Sequence, residues 1–282
     1  MVNCTSCRRR EAFYKRRASG EKLCRRCLFN SLVRQVKRAL GEFSMLRPNT
    51  IVYFVLRPDK PLESLEMLQI LRSATGKHGT VIKPVIPPLF KGYEEVTEYL
   101  RTLGYEPIEG AKVPTPQSYV ELVKFCEASA LLTVDKKGVV AAPLLRNDMV
   151  LLALLGSTLG DKEVFSESTP VKKHLEKSII RPFYYVTAAD IAALTFTDNK
   201  LRALEGVVEP CTPMTKHEKV TSEMLRELTW SSSELLYSSS KTIELLQKLA
   251  LGLGYRCRFC LGYTLNKDMV CSYCRRIGTW PS

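Results

Sequence analysis

Eight of the ten cysteines stand in CxxC pairs, two pairs at each end of the chain: Cys4, Cys7, Cys24 and Cys27, then Cys257, Cys260, Cys271 and Cys274. A CxxC turn lets two sulfurs reach one ion, and a second turn a short hairpin away completes a tetrahedron of thiolates. Two such sets predict two structural zinc ions, with iron left open because four thiolates do not choose between soft metals. Disulfides are the competing chemistry. No apolar leader precedes Cys4, and Arg8, Arg9 and Arg10 follow it closely, so free thiols in a reducing, cytoplasmic setting are expected. No run approaches the roughly 18 apolar residues of a membrane span.

The remaining reactive side chains are sparse. Cys126 lies in an apolar stretch and reads as core, since a free thiol behaves as a small hydrophobe. Cys211, in Glu209-Pro210-Cys211-Thr212-Pro213, is the one candidate thiol for catalysis, and no other catalytic residue is assigned. His78, His174 and His217 each have charged or polar neighbours and no HExxH-like pairing, so surface positions are expected for all three.

The net charge of +13 is concentrated at the ends. From Met1 to Arg47 thirteen Lys or Arg face Glu11, Glu21 and Glu42, and from Tyr255 to Ser282 five face Asp268, leaving the long middle near neutrality. Clustered cations on thiolate-rich modules read as a nucleic-acid surface. Arg8, Arg9, Arg10, Lys15, Arg16, Arg17, Arg25 and Arg26 form the cluster, and Arg34, Lys37 and Arg38 extend it along the following helix.

The elements that position these residues fall into three parts: 1–47, a finger with a basic helix; 48–254, an α/β domain; and 255–282, a C-terminal ribbon. Leu28, Phe29, Leu32, Val33, Val36 and Leu40 recur at helical spacing, with Gly41 as a stop. Then strands over Ile51–Leu56, Thr80–Ile86 and Ala130–Val134, and an apolar stretch at Val139–Ala142, alternate with helices near Leu62–Ala74, Tyr93–Leu103, Gln117–Phe125 and Asp148–Leu155. That alternation predicts a doubly wound, mainly parallel sheet with helices on both faces. Phe183–Val186, with Thr187 and Asp190 as a capping box, starts another helix, and two more follow near Ser222–Leu236 and Ser239–Leu251.

The order of parts, with the stretch RPFYYVTAADIAALTF from Arg181 to Phe196, resembles the two-finger tRNA 2-thiolation enzymes of the PP-loop ATP-pyrophosphatase superfamily. The resemblance covers nearly the whole chain and implies the PP-loop fold, tRNA as ligand and thiolation of a uridine. The family's SGGxDS loop after the first strand, a glycine nest for pyrophosphate, is replaced here by Asp59-Lys60-Pro61-Leu62-Glu63-Ser64. Lys60 and Pro61 stand for the glycines, Asp59 adds a negative charge, and only Glu63 and Ser64 keep the motif's chemistry. A GHNxDD-like turn is reduced to Asn147 and Asp148, and Asp148 equally suits a helix cap. Where the family's first non-finger cysteine is expected, the chain reads Pro114-Thr115-Pro116-Gln117, while Cys211 falls near the later one.

These departures lead to a definite expectation. The chain reads as a catalytically degenerate, non-enzymatic homologue that binds tRNA or serves as partner subunit to a catalytic thiolase, holding two zinc ions and neither ATP nor an iron–sulfur cluster. The alternatives are an active ATP-dependent tRNA 2-thiouridylase with a diverged nucleotide loop, and a generic zinc-ribbon nucleic-acid-binding protein.

Overall fold

A computed structural model describes residues 2–76, 79–134, 138–250 and 254–275. The chain opens with a two-stranded antiparallel hairpin, β1 (Tyr14–Lys15) and β2 (Lys22–Leu23), with Cys4 and Cys7 before it and Cys24 and Cys27 after it. Helix α1 (Arg25–Glu42) leaves it directly and buries Leu28, Leu32, Val36 and Ala39, the apolar stripe that the spacing predicts.

The central sheet takes β3 (Ile51–Val55), β4 (Val81–Ile86), β5 (Ile108–Glu109), β6 (Val139–Ala141), β7 (Val171–His174) and β8 (Lys177–Ile180) in the order β5-β4-β3-β6-β8-β7. All neighbours run parallel except the edge strand β7, which forms an antiparallel hairpin with β8. Helices α2 (Pro61–Thr75), α3 (Tyr93–Thr102), α4 (Tyr119–Thr133) and α5 (Arg146–Leu159) fill the connections, and a short helix α6 (Lys162–Phe165) with a 3-10 turn over Ser166–Ser168 leads into β7. Alternate strand residues serve opposite faces. Val52, Phe54, Ala141 and Ile180 pack in one core with residues of α1, α2 and α5, while Tyr53, Val55, Val140 and Ile179 pack in the other with Leu122, Cys126 and Ala130 of α4.

After the sheet come α7 (Ala188–Phe196), α8 (Asn199–Arg202), α9 (Lys216–Ser231) and α10 (Ser233–Ala250). The C-terminal module holds β9 (Tyr255–Arg256) antiparallel to β10 (Tyr263–Thr264), then α11 (Ser272–Arg275). No helix among the described residues is long and apolar enough to cross a membrane.

The strand expected over Ala130–Val134 is instead the last turn of α4, with Val134 as its C-cap. Every residue from Tyr119 to Leu131 is buried, because the helix lies between the sheet and the C-terminal module, so no polar face marks its helical period. Thr187 caps α7 through its hydroxyl, which accepts from Asp190 N at 3.3 Å, but the expected reciprocal half of the box is absent. The Asp190 carboxylate accepts from Arg16 instead. The apolar segment Phe183–Val186 stays outside the helix. His78 and Leu251 lie outside the described residues.

Candidate functional site

Each terminal cysteine group gathers its four sulfurs within 4.8 Å of one another. Cys7 Sγ stands 3.8 Å from Cys24 Sγ, and Cys260 Sγ 3.7 Å from Cys271 Sγ. A tetrahedral ion with metal–sulfur bonds of about 2.3 Å places its ligands about 3.8 Å apart, so both groups fit one ion each. The two knuckles are built alike. The residue after the second cysteine of each opening pair, Arg8 and Leu261, takes a left-handed conformation (φ 54° in both), and its N–H closes the turn onto Cys4 O at 2.8 Å and Cys257 O at 2.9 Å. Burial raises the Cys4 thiol, but N–H groups of Cys7, Cys24 and Ser6 outweigh it and bring it down to about 6, toward the thiolate a metal needs. None of the ten cysteines is in a disulfide.

The second module is seated on the core by an unusual support. Lys124 and Glu127 of α4, Glu167, Lys172 of β7 and Arg181 are all fully or almost fully buried. Glu167 accepts from Lys124 Nζ at 2.8 Å, Lys172 Nζ at 2.6 Å and Arg181 Nη2 at 2.9 Å, and Glu127 accepts from Lys172 and Arg181. Arg181 also donates to the carbonyls of Glu167 and Thr169. Gly262 is obligatory above this cluster. A Cβ there would lie 2.5 Å from Glu167 Oε1, 3.0 Å from Lys124 Nζ and 3.2 Å from Cys260 Sγ. The one sequence signal for the cluster is opposite charges three residues apart, Lys124 and Glu127, in a mainly apolar helix.

The strand order reverses between β3 and β6, and in open α/β sheets the crevice beyond the carboxyl ends at such a point is where ligands bind. Here the Arg57-Pro58-Asp59-Lys60 loop meets the N-terminus of α5. Asp148 accepts from Arg57 Nη1 at 2.5 Å, Lys60 Nζ at 2.7 Å, Tyr119 Oη at 2.9 Å and Leu145 N at 2.8 Å. Its burial favours the neutral acid, but Arg57 and Lys60 prevail and hold its carboxyl well below the usual range. Asp148 is therefore both the helix cap and the hub of an ion cluster. Asp59 is no lone negative charge either, because Arg57 grips it through Nε at 3.0 Å and Nη2 at 2.5 Å.

Of the other loop residues, Pro61 is buried at the first position of α2, and Ser64 is buried with its hydroxyl on Pro61 O at 2.8 Å. Glu63 is half-buried. Asn147 Oδ1 accepts from Ala188 N at 2.9 Å. Cys211 is half-buried and is tied to this loop by its N–H on Pro58 O at 2.8 Å. Cys126 is buried, and with Arg57 and Asp59 it lines a small space under the loop, where burial pushes its thiol up. His217 is exposed, within 3.0 Å of Thr158 Oγ1, and His174 is half-buried in β7. Sequence reasoning missed Arg57 and Tyr119, whose partner Asp148 lies 91 and 29 residues away along the chain.

A cavity of about 280 Å³ opens beside this cluster, lined by Asp59, Lys60, Tyr119, Asn147, Asp148, Thr212 and Arg226 among others. Through Asn147, Arg226 and Thr229 it adjoins a cleft of about 900 Å³ that runs between the finger loop at Tyr14–Ala18 and the α9–α10 corner.

The basic residues of the first module divide into two sets. Arg16 is largely covered and ion-paired to Asp190 and Glu21, and Arg25 to Asp198 at the cap of α8, so these two fasten the finger to the core. Arg17 lies on Trp230, with its guanidinium 3.3 Å from the ring centroid. Arg38 pairs with Glu42 and lies over Tyr185. Arg8, Arg9, Arg10, Lys15, Arg26, Arg34 and Lys37 are exposed and make no ion pair among the described residues.

No protein-family profile matches this chain, and no curated protein matches it in sequence. Among solved structures it is similar to the U34-tRNA thiolase NcsA from Methanococcus maripaludis, described with its [4Fe-4S] cluster, at 17% identity over 99% of this chain and 98% of that one, with a TM-score of 0.71. The likeness shows the fold, the mainly parallel PP-loop type of sheet with a four-cysteine group at each end. It also corrects two expectations. The reading of the chain as a non-enzyme is contradicted by a neighbour that is itself a thiolase, spanning the same fold from end to end. The cofactor set of two zinc ions without ATP or an iron–sulfur cluster is contradicted by that neighbour's [4Fe-4S] cluster. The motif changes at Asp59–Pro61 and the small number of thiols outside the fingers therefore do not decide the chemistry.

Proposed function

We propose that this chain acts in tRNA thiolation, binding tRNA with its first module and bringing the target uridine to the crevice at the carboxyl ends of β3 and β6. The observation that carries the reading is the end-to-end likeness to a U34-tRNA thiolase, joined to a cleft that leads from the basic finger to the switch-point cluster. In this reading residues 1–47 and 255–282 are metal-stabilised modules, each held by its four cysteines, on an α/β domain over 48–254. The exposed Arg8, Arg9, Arg10, Lys15, Arg26, Arg34 and Lys37 take phosphates, while Arg16 and Arg25 fix the finger's orientation.

Exchange of a uridine carbonyl oxygen for sulfur needs stabilised charge where the oxygen leaves and a sulfur group within reach. Arg57 and Lys60 are the cations of the switch-point cluster, Arg226 lines the cavity beside it, and Cys211 is a partly exposed thiol tied to the same loop through Pro58. The eight terminal thiolates fit single soft-metal ions, which supply folding free energy to modules too small to hold themselves.

The test is the 2-thiouridine content of tRNA from cells lacking the gene, read by mass spectrometry of nucleosides. A specific loss, restored by the wild-type gene, supports the reading; unchanged thiouridine at every tRNA position removes it. Complementation with Cys211→Ser that restores full thiolation would take Cys211 out of the chemistry. Incubating the purified chain with tRNA, ATP and sulfide, with and without cell extract, reads how much of the reaction it performs alone.

A further inference from the structure

The large cleft between the finger loop and the α9–α10 corner has a feature that packing does not explain. Arg146, at the first position of α5, is 9% exposed, its Nε is buried without a hydrogen-bond partner, and no carboxylate among the described residues pairs with it. Its guanidinium lies 5.6 Å from the Tyr185 ring centroid and 5.2 Å from that of Tyr237, which lines the cleft with it. A buried cation without an anion costs stability, and proteins keep such groups where a ligand supplies the missing charge. Burial pulls its pKa down and the nearby Arg38 adds to that, while Tyr184, Tyr237 and Tyr185 act to raise it.

The rest of the cleft has matching chemistry. Arg17 and Trp230 stack at its mouth, where Trp230 is 70% exposed and Tyr237 46%, and large aromatic faces this open are platforms for unstacked bases. The lining holds five cations, Lys15, Arg16, Arg17, Arg146 and Arg226, against Asp190 and Glu234, and Asp190 is already taken by Arg16. A volume of about 900 Å³ lies within the range of small-molecule sites. A membrane or an apolar peptide would leave Arg146 unpaired.

We propose that this cleft is a nucleotide-binding site for single-stranded RNA, in which Arg146 takes a backbone phosphate at the buried end and Trp230 and Tyr237 stack bases at the mouth. It rests on the tRNA reading above and refines it by placing an unstacked stretch of the RNA next to the switch-point cavity, with which the cleft shares Asn147, Arg226 and Thr229.

The experiment uses the full-length, metal-loaded protein and an unmodified tRNA transcript, with fluorescence anisotropy for affinity and tryptophan emission for stacking. Arg146→Gln and Trp230→Ala should each raise the Kd about tenfold, Arg146→Lys should recover most of the loss, and RNA should quench emission in the wild type but much less in Trp230→Ala. Arg146→Gln removes an unpaired buried charge and Trp230 is exposed, so both variants should keep the wild-type melting temperature. Wild-type tRNA affinity in both variants would overturn the site while leaving the thiolation reading to the thiouridine assay. Displacement of tRNA by UMP or AMP at equal phosphate concentration would make it a free-nucleotide site and overturn the RNA assignment. Equal competition by polyglutamate would overturn it in favour of an acidic protein partner.

Discussion

Replacing Glu167 by Gln should be among the most damaging single changes outside the cysteines. The carboxylate sits with zero exposure among Lys124, Lys172 and Arg181, at 2.8, 2.6 and 2.9 Å. The amide would leave three buried cations sharing only Glu127, whose oxygens reach Lys172 and Arg181 but not Lys124. Breaking a buried pair from one side costs about 3–5 kcal/mol, mainly because the remaining charge cannot regain water. For a chain of this size that is a fall of about 10 °C in melting temperature. The pH dependence gives an independent measure. Burial raises the Glu167 pKa, but Lys124, Lys172 and Arg181 outweigh it and draw it down to about 2. A depressed carboxyl stabilises the fold above its ordinary pKa, near 4.5, and loses that contribution as pH falls through the folded value near 2. The gap between wild type and Glu167→Gln, measured by circular dichroism melts and urea titration, should therefore be full at pH 7 and close progressively below pH 4.5. Comparing the two proteins at each pH cancels the acid loss of metal that both suffer. A variant within 1 kcal/mol of wild type at pH 7, or a gap that does not narrow in acid, would refute the argument.

Metal should support both ends. Cys24→Ser and Cys271→Ser should each release one module's metal, read by elemental and acid-labile sulfide analysis, and each should lower the melting temperature, because Cys24 is buried in the main core with Leu23 and Leu28 and the second group is buried against Ala128 of α4. The basic residues should separate by role. Reversing Arg8, Arg9, Arg10 and Arg26 to Glu should weaken tRNA binding and flatten the salt slope by about 0.7–0.9 per lost phosphate contact, with little change in stability. Arg16→Glu should chiefly destabilise the protein, since it places a carboxylate against Asp190 and Glu21; an unchanged melt would refute the fastening role.

The sequence made visible what depends on local spacing. The paired thiols, the amphipathic α1 and the strands with clear alternation are each written within a few residues of themselves, and the α/β repetition follows from them. What it hid depends on contacts across the chain. Lys124 and Glu127 look like solvent-facing residues until Glu167, Lys172 of β7 and Arg181 just after β8 meet them. Asp59 reads as an uncompensated charge until Arg57, two residues back, turns to meet it. Arg16 and Arg17 are indistinguishable as text, yet one is consumed by Asp190 and the other lies on Trp230. The helix end at Ala130 reads as a strand because α4 is buried on all sides, which removes the polar face that periodicity needs.

The switch-point cluster allows one more inference to be tested, because its charges balance within itself. Arg57 and Lys60 are the only cations in it, and Asp59 and Asp148 already occupy them. Any phosphate that enters has to compete with these carboxylates, so removing one should raise anion affinity. Asp59 is the one to change, because Asp148 also caps α5 and accepts from Tyr119, whereas Asp59 pairs with Arg57. At an effective dielectric of about 20, a unit charge about 8 Å from a phosphate contributes about 2 kcal/mol, and solvent reaching Lys60 reduces it, leaving about a tenfold gain in affinity. Asp59→Asn should therefore bind inorganic pyrophosphate about tenfold more tightly than wild type in titration calorimetry at low salt, and the gain should shrink as salt is added. Arg57 keeps Asp148, so the variant should still fold. If Asp59→Asn binds pyrophosphate no better than the wild type, the crevice is not an anion site governed by that competition, and Arg57 and Lys60 serve only to hold the loop against α5.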